Sequence, residues 1–327
     1  CENRDEWRAE AYRQPLKNHS SDQETQDVQQ ARVHKYRDAQ SACEKENHYA
    51  TPITIDILLE ARTRMALDKA SGDDRVVSEM LIYLPMLVMY FILELFAARY
   101  SGQHADVSIA SWVTLLMVFL RKEAKVKDIK WSEDRGITLL AVLSKLYLGC
   151  LVLIASQTPY PSPWNEFIVE GAPGIGAEKY VLLLHLMIQR SHEWGDRIPI
   201  HAGEGDILQA YDHAHLQEVA WAMEQWGLHA QLNAAFLQES VGLHTYAVFE
   251  GLTYDFPLNK CIRQGSKEAG LLFRVLILAI VSPLVMRWKS QGQGYKLAGH
   301  IVPIVFWVDS FWAVSYTHLT LPTTPYV

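Results

Sequence analysis

Cysteine is scarce in this chain: four residues, Cys1, Cys43, Cys150 and Cys261, are scattered over 327 positions with no C-x-x-C spacing. That excludes a disulfide scaffold and a structural zinc ribbon. With no secretory leader in the sequence, the thiols are expected to be reduced. An excess of positive charge is also missing, since 30 Lys and Arg face 37 Asp and Glu for a formal charge of −7. The overall balance therefore gives no support to nucleic-acid binding, which draws on a basic surface to release counterions. Local charge remains available in Arg121–Lys130, the most basic window, where Lys122, Lys125 and Lys127 are candidate phosphate contacts; a solvated charged loop explains that window equally well.

Uninterrupted apolar runs are lacking too. The stretch MLIYLPMLVMYFILELFAA (80–98) has about the length that crosses a bilayer, but Pro85 and Glu94 interrupt it. The run ITLLAVLSKLYLGCLVLI (137–154) carries Lys145 in mid-segment, a costly placement in lipid. Both are expected to form a buried helix pair, with a small helical membrane protein as a minor alternative. A phosphate-cradling loop is absent as well: GAPGIGAEK (171–179) has no G-K-[ST] ending and no strand directly before its glycines. It reads as a Gly/Pro loop leading into a helix over Glu178–Arg190.

What is present supports a sizeable core, with 49% hydrophobic residues. Residues 1–50 read as a polar helical linker that buries little, being rich in Glu, Gln, Arg, Asp and His. From Thr51, PITIDILLEARTRMAL has a Thr cap region and helical apolar spacing, ending near a turn at 69–74. Leu216, Val219, Ala220, Met223 and Trp226 predict an amphipathic helix over about 213–226, with Asp212 as its N-cap and His213 and His215 in capping or surface roles. IVPIVFWV (301–308) and FWAV (311–314) predict a hairpin around Asp309-Ser310. Asp206 ends a strand-like run that leads toward the 213–226 helix.

A carboxylate at a strand end and another at a hairpin tip can hold two hard cations, which take oxygen ligands and sit about 3.5–4 Å apart. Taken alone the pair is weak, because exposed turn acids satisfy the same description. The flanking residues add specificity. Asp206-Ile207-Leu208-Gln209-Ala210-Tyr211-Asp212 resembles the first palm motif of reverse transcriptases, Arg263-Gln264-Gly265 the second, and Trp307-Val308-Asp309-Ser310 the aromatic-x-Asp-Asp hairpin of the third. Upstream, Lys69–Glu79 is similar to the K-x-x-G-x-D-x-h-x-x-E segment, where h is apolar, that opens the polymerase region of non-LTR (LINE-type) retrotransposons. Asp134–Leu140 with Lys145-Leu146-Tyr147 resembles their R-P-I-x-L-L stretch, and Glu166–Gly171 their G-F-x-x-G stretch.

The resemblance covers roughly 51–314 and implies an α+β fold, a right-hand polymerase with helix-rich fingers over 51–200 and a small antiparallel palm sheet over 201–314, the thumb missing. It implies an RNA-directed DNA polymerase with RNA template, DNA primer and dNTPs as partners, no membrane, and an intracellular, nuclear setting. Asp206 and Asp309 would bind two Mg²⁺, or Mn²⁺ in their place, with the Ile207 carbonyl as a further ligand. Tyr211 with Ala210 would shape the nucleotide pocket and exclude a 2′-hydroxyl, Arg135 would hold the triphosphate, and Gln264 and Gly265 would lie against nucleotide and template.

Three departures weigh on activity. Ser310 stands where the family has a second Asp, Gly136 stands where it has Pro, and Lys267-Glu268-Ala269-Gly270 replaces its Pro-x-Ser-Pro. The sequence starts at Cys1 without Met and closes in SYTHLTLPTTPYV (315–327), which resembles sequencing-adaptor read-through and is expected to be non-native. A truncated, weakly active or inactive copy is expected, and the alternative is a non-catalytic nucleic-acid-binding remnant of the same fold.

Overall fold

The structure is a computed structural model that describes residues 26–103, 110–121, 134–161, 164, 177–193, 201–207, 210–249, 252–257, 262–297, 300–307 and 310–315. In chain order the first elements are α1 (Gln26–Lys45), α2 (Ile55–Thr63), α3 (Ser78–Ile82), α4 (Met86–Tyr100) and α5 (Ala110–Val113). Then come β1 (Thr114–Arg121), β2 (Asp134–Leu139), α6 (Val142–Ala155), α7 (Ala177–Glu193) and β3 (His201–Asp206). Next are α8 (Ala210–His213), α9 (Leu216–Trp226), α10 (Ala230–Gln238), β4 (His244–Phe249) and β5 (Leu252–Pro257). The last are α11 (Ala269–Ser290), β6 (Tyr295–Leu297), β7 (His300–Val302), β8 (Ile304–Trp307) and β9 (Ser310–Ser315). The class is mixed α+β, with helices around small sheets. The chain forms two compact units, Cys1–Pro159 with Tyr211–Ala269, and Tyr160–Ala210 with Gly270–Val327.

In the first unit the sheet runs in the order β2-β1-β4-β5, with β1 antiparallel to β2 and parallel to β4. Leu115 and Met117 of β1 are buried while Leu116 is half-buried and Val118 exposed, the period-2 pattern of a strand with one covered face. The core beside it gathers Leu58, Phe96, Leu140, Leu146, Leu151 and Phe236. Phe96, Trp112 and Tyr147 pack there with centroids 5.1–6.1 Å apart, Phe96 meeting both other rings edge to face, a geometry aromatic rings favour.

Helix ends follow local chemistry. Thr54, in extended conformation, caps α2 by accepting from the Ile57 N–H at 3.3 Å. The helix expected over 213–226 begins only at Leu216. His215 is its N-cap, the Glu218 carboxylate accepts from the His215 backbone N–H, and Gly227 closes it at φ +82°. Asp212 falls inside the short α8 instead of at a cap, because the chain turns at Ala214-His215. The buried face of α9 is nonetheless the expected set, Leu216, Val219, Ala220, Met223 and Trp226.

Two apolar runs behave differently from one another. The run 137–154 divides: Ile137–Leu139 belong to β2, and only Val142–Ala155 is the expected helix, buried along most of its length. The other run breaks at Tyr83-Leu84-Pro85 into α3 and α4, and α4 is covered on one side only: Met89, Ile92, Phe96 and Tyr100 are buried, while Leu87 and Phe91 are 69% and 68% exposed. The nominal linker also packs. α1 buries Gln29, Val33, Tyr36 and Gln40, with the Tyr36 hydroxyl donating to Glu224 at 2.6 Å and Arg37 to the Tyr100 carbonyl at 2.9 Å. Three of those four buried side chains end in an amide or a phenol, which composition alone reads as solvated.

In the second unit β9 lies between β3 and β8, antiparallel to both, and β6 pairs with β7. The run 301–308 is therefore two short strands rather than one. Pro303 separates β7 from β8, since it has no N–H to offer a ladder. Trp307 pairs with Ser310, so Ser310 opens β9 and is not a turn residue. α7 extends the expected helix to Ala177–Glu193 and packs Met187 on Tyr295, flanked by Leu183 and Trp312. α11 is long and apolar enough to cross a membrane by length and composition, yet Leu271 to Ala279 are buried in the fold.

The loop 171–176, Glu166–Gly171, Lys122, Lys125, Lys127, Cys1, Cys261 and the tail 316–327 lie outside the described residues. Of the described thiols Cys43 and Cys150 are both free. Burial pushes the Cys150 thiol up to about 12, and the thiolate is the reactive form. Peptide mass mapping after brief maleimide treatment of the native chain is thus expected to find Cys43 labelled and Cys150 spared. Equal labelling would show that α6 is not packed as described.

Candidate functional site

The candidate residues form two groups, one in each unit. In the second unit Asp206, the last residue of β3, pairs with Ser310, the first of β9. Antiparallel register places the end of one strand beside the start of the other, and the Ser310 hydroxyl donates to Asp206 Oδ1 over 3.2 Å. The Asp206 carboxylate is otherwise turned to solvent. Small residues in β3 make this closeness feasible: a Cβ at Gly205 would lie 2.3 Å from the Phe311 ring, which itself packs on Phe306 at 5.5 Å. Glycine therefore leaves room for the distal edge of the Phe311 ring against β3, one residue before Asp206.

Ile207 follows, half-buried, and Ala210 opens α8 as a buried residue. Val308 and Asp309 lie outside the described residues, although Trp307 and Ser310 on either side of them pair with each other. Among the described residues no group of three or more His, Cys, Asp or Glu side chains gathers as a metal cluster. The donors that are placed, a carboxylate and a hydroxyl, are hard oxygen ligands of the kind Mg²⁺ takes.

In the first unit Tyr211, Gln264, Gly265 and the strand of Arg135 are knitted together by backbone. The Tyr211 carbonyl accepts from Ile262 N–H at 3.0 Å, and the Gln264 carbonyl accepts from Thr138 N–H at 2.8 Å. Gly265 sits at φ +103°, and a Cβ there would come 2.7 Å from the Thr138 carbonyl oxygen. Only glycine combines that backbone angle with that approach. Arg135 lies three residues earlier in β2, paired with Leu120 of β1.

The stretch Lys69–Glu79 packs just past the end of β2. Gly72 is pressed against the Leu140-Ala141 peptide, where a Cβ would be 2.5 Å from the Leu140 carbonyl carbon. Lys145 donates to the Ala70 carbonyl at 3.4 Å, the Glu79 carboxylate accepts from Asp68 N–H at 2.6 Å, and the Tyr246 hydroxyl donates to Asp73. That bond, with lesser help from burial, pushes the Tyr246 hydroxyl up to about 12. Burial holds Lys145 below the ordinary lysine value, with Asp74 opposing and Lys267 adding to the shift. Lys267, also lowered by burial, donates to the Arg64 carbonyl at 3.0 Å.

Two features were not anticipated from sequence. One is the Ser310 to Asp206 hydrogen bond, which register alone reveals. The other is a buried ion pair, Arg263 Nη2 to Glu268 Oε1 at 2.7 Å, on either side of Gln264 and Gly265. Opposite charges five positions apart around a glycine were the available signal.

No family model matches the sequence, and no curated protein matches it. Solved structures that resemble the fold number 211 chains. One is the apo telomerase of Candida tropicalis truncated from its C-terminal domain, with a TM-score of 0.46, 10% identity, and 70% of this chain aligned to 49% of that one. This chain therefore spans about half the length of that telomerase chain, and at such a score and identity the likeness has no functional weight.

Proposed function

We propose that the chain carries the fingers and palm of an RNA-directed DNA polymerase of the non-LTR retrotransposon type, in a copy whose catalysis is weak or lost. The observation that carries this reading is the Asp206–Ser310 pairing: the carboxylate of the first resembling motif lies beside the hairpin of the third, 104 residues away. The knitting of Tyr211, Gln264 and β2 supports it independently.

Asp206 and Asp309, with the Ile207 carbonyl, would hold Mg²⁺. Bound there, the metal would lower the pKa of a primer 3′-hydroxyl and neutralise triphosphate charge. The chain's own groups would do the positioning. Tyr211 would pack under the sugar and reject a 2′-hydroxyl, Ala210 keeping the backbone close; Arg135 would fork onto phosphate oxygens. Gln264 and Gly265 would face the nucleotide and template base. RNA template, DNA primer and dNTPs are the partners this implies.

Ser310 favours a second reading, a non-catalytic nucleic-acid-binding remnant, because its hydroxyl occupies an Asp206 lone pair where a second carboxylate would add charge. Titration calorimetry with dNTP separates the two. The polymerase reading expects binding only when Mg²⁺ is present, weakened at least about 10-fold by Asp206→Asn, the low end of what even outer-shell partners of a metal cost. Ser310→Asp is expected to tighten Mg²⁺ by roughly 10-fold, since ligand charge tunes hard-cation affinity. Metal-independent binding unmoved by either variant would leave the remnant reading standing.

A further inference from the structure

The six residues 263–268 form a loop closed from beneath by charge. Arg263 and Glu268 are 3% and 2% exposed, and their side chains meet at 2.7 Å. Between them Gln264 is hydrogen-bonded to β2, Gly265 adopts its positive φ, and Ser266 donates through both backbone N–H and hydroxyl to the Arg263 carbonyl, at 3.2 and 2.9 Å. A buried ion pair is poor evidence for stability, because desolvation offsets much of its attraction and apolar substitutes often do as well. This pair is worse placed than most: among the described residues Arg263 Nη1 and Glu268 Oε2 have no hydrogen-bond partner. Its geometry is what an apolar contact does not reproduce, a directional link of fixed length across the base of the loop.

The sequence gives a reason for such a link. Where the resembling family stiffens the end of this loop and the start of the next helix with Pro-x-Ser-Pro, the chain has Lys267-Glu268-Ala269-Gly270, which fixes no φ angle. We propose that Arg263 and Glu268 are positioning residues, an ionic clasp that replaces the missing prolines and holds Gln264 and Gly265 in the conformation that meets a nucleotide. The structural half stands on the loop alone; the nucleotide half rests on the polymerase reading above. The clasp also reaches deeper, because Arg263 and Glu268 act in opposite directions on the buried Glu239, which burial chiefly raises.

The test compares Glu268→Gln with the apolar double variant Arg263→Met/Glu268→Leu in the full chain. Melting temperature, amide exchange at Thr138, Gly265 and Ser266, and dNTP affinity at saturating Mg²⁺ are read for each. Glu268→Gln is expected to speed Thr138 exchange about 10-fold or more relative to α6 amides, and to weaken dNTP about 10-fold with Mg²⁺ affinity unchanged. The apolar pair is expected to recover the melting temperature but neither loop protection nor dNTP affinity. If it recovers all three, the clasp is only packing and the proposal falls. Should Glu268→Gln not fold, Glu268→Asp keeps the charge one methylene short and is expected to show the same loosening. If the unaltered chain binds no dNTP, the polymerase reading fails while the exchange comparison still decides the clasp.

Discussion

Arg99→Met is expected to lower the unfolding free energy by about 3–5 kcal/mol, the range for removing one partner of a buried pair. Arg99 and Glu239 meet at 2.5 Å with side chains only 7% and 3% exposed, and Arg99 also lies 5.0 Å from the Trp112 ring centre. The substitution keeps much of the apolar contact but leaves Glu239 without its closest cation. Burial already holds the Glu239 carboxyl above the ordinary range, against the pull of Arg99. A carboxyl raised in the folded state stabilises it below the unfolded pKa and loses that contribution as pH rises through the folded value. Without Arg99 the folded value climbs further, so the deficit should be largest near neutrality and shrink toward about pH 4, where an ordinary Glu takes up its proton. Urea unfolding at both pH values checks this, with Arg99→Met/Glu239→Leu expected to recover most of the loss. A deficit that does not change with pH would mean that the lost contact with Trp112, not the orphaned carboxylate, is what matters.

What the sequence made legible was local. α9 could be read because five apolar residues repeat at helical spacing and one face is covered. α6 could be read because most of the apolar run 137–154 had nowhere to go but inward, although its first three residues went to β2. α1 could not, since its buried positions include Gln29 and Gln40 and the favourable contacts come from Tyr36 and Arg37 reaching other helices. The sheet of the first unit was equally hidden. Its β1–β4 pairing is parallel between Thr114–Leu116 and His244–Tyr246, and no short-range pattern specifies a partner so far along the chain.

The candidate site divides in the same way. Asp206, Tyr211, Gln264 and Gly265 were recognisable as residue types in order, but the contacts that join them to other segments depend on register. Ser310 is the clearest instance: as a letter it is a missing acid, and in the fold it is a donor bound to Asp206. Gly136 is another, since it stands where Pro was expected and leaves space filled by the Met117 sulfur, 2.9 Å from where a Cβ would sit. The identity of that glycine was visible; its reason was on the neighbouring strand.

Gly72→Ala is expected to cost about 3 kcal/mol, the upper end for overpacking. The added carbon would meet only backbone: the Leu140 carbonyl carbon at 2.5 Å, and the Ala141 nitrogen and Leu140 oxygen at 2.6 Å. No side chain can swing away, so either the 68–79 stretch or the start of α6 must move, and the Lys145–Ala70 and Tyr246–Asp73 links resist that from opposite ends. Gly227→Ala provides the contrast. It has a positive φ of +82° but nothing within 4 Å, so its cost is conformational, about 1–2 kcal/mol for a left-handed residue. Urea unfolding of the two variants is expected to rank Gly72→Ala well below Gly227→Ala in stability. The reverse order would mean that the loop yields easily, and that the 68–79 stretch is not rigidly seated on the Leu140-Ala141 peptide.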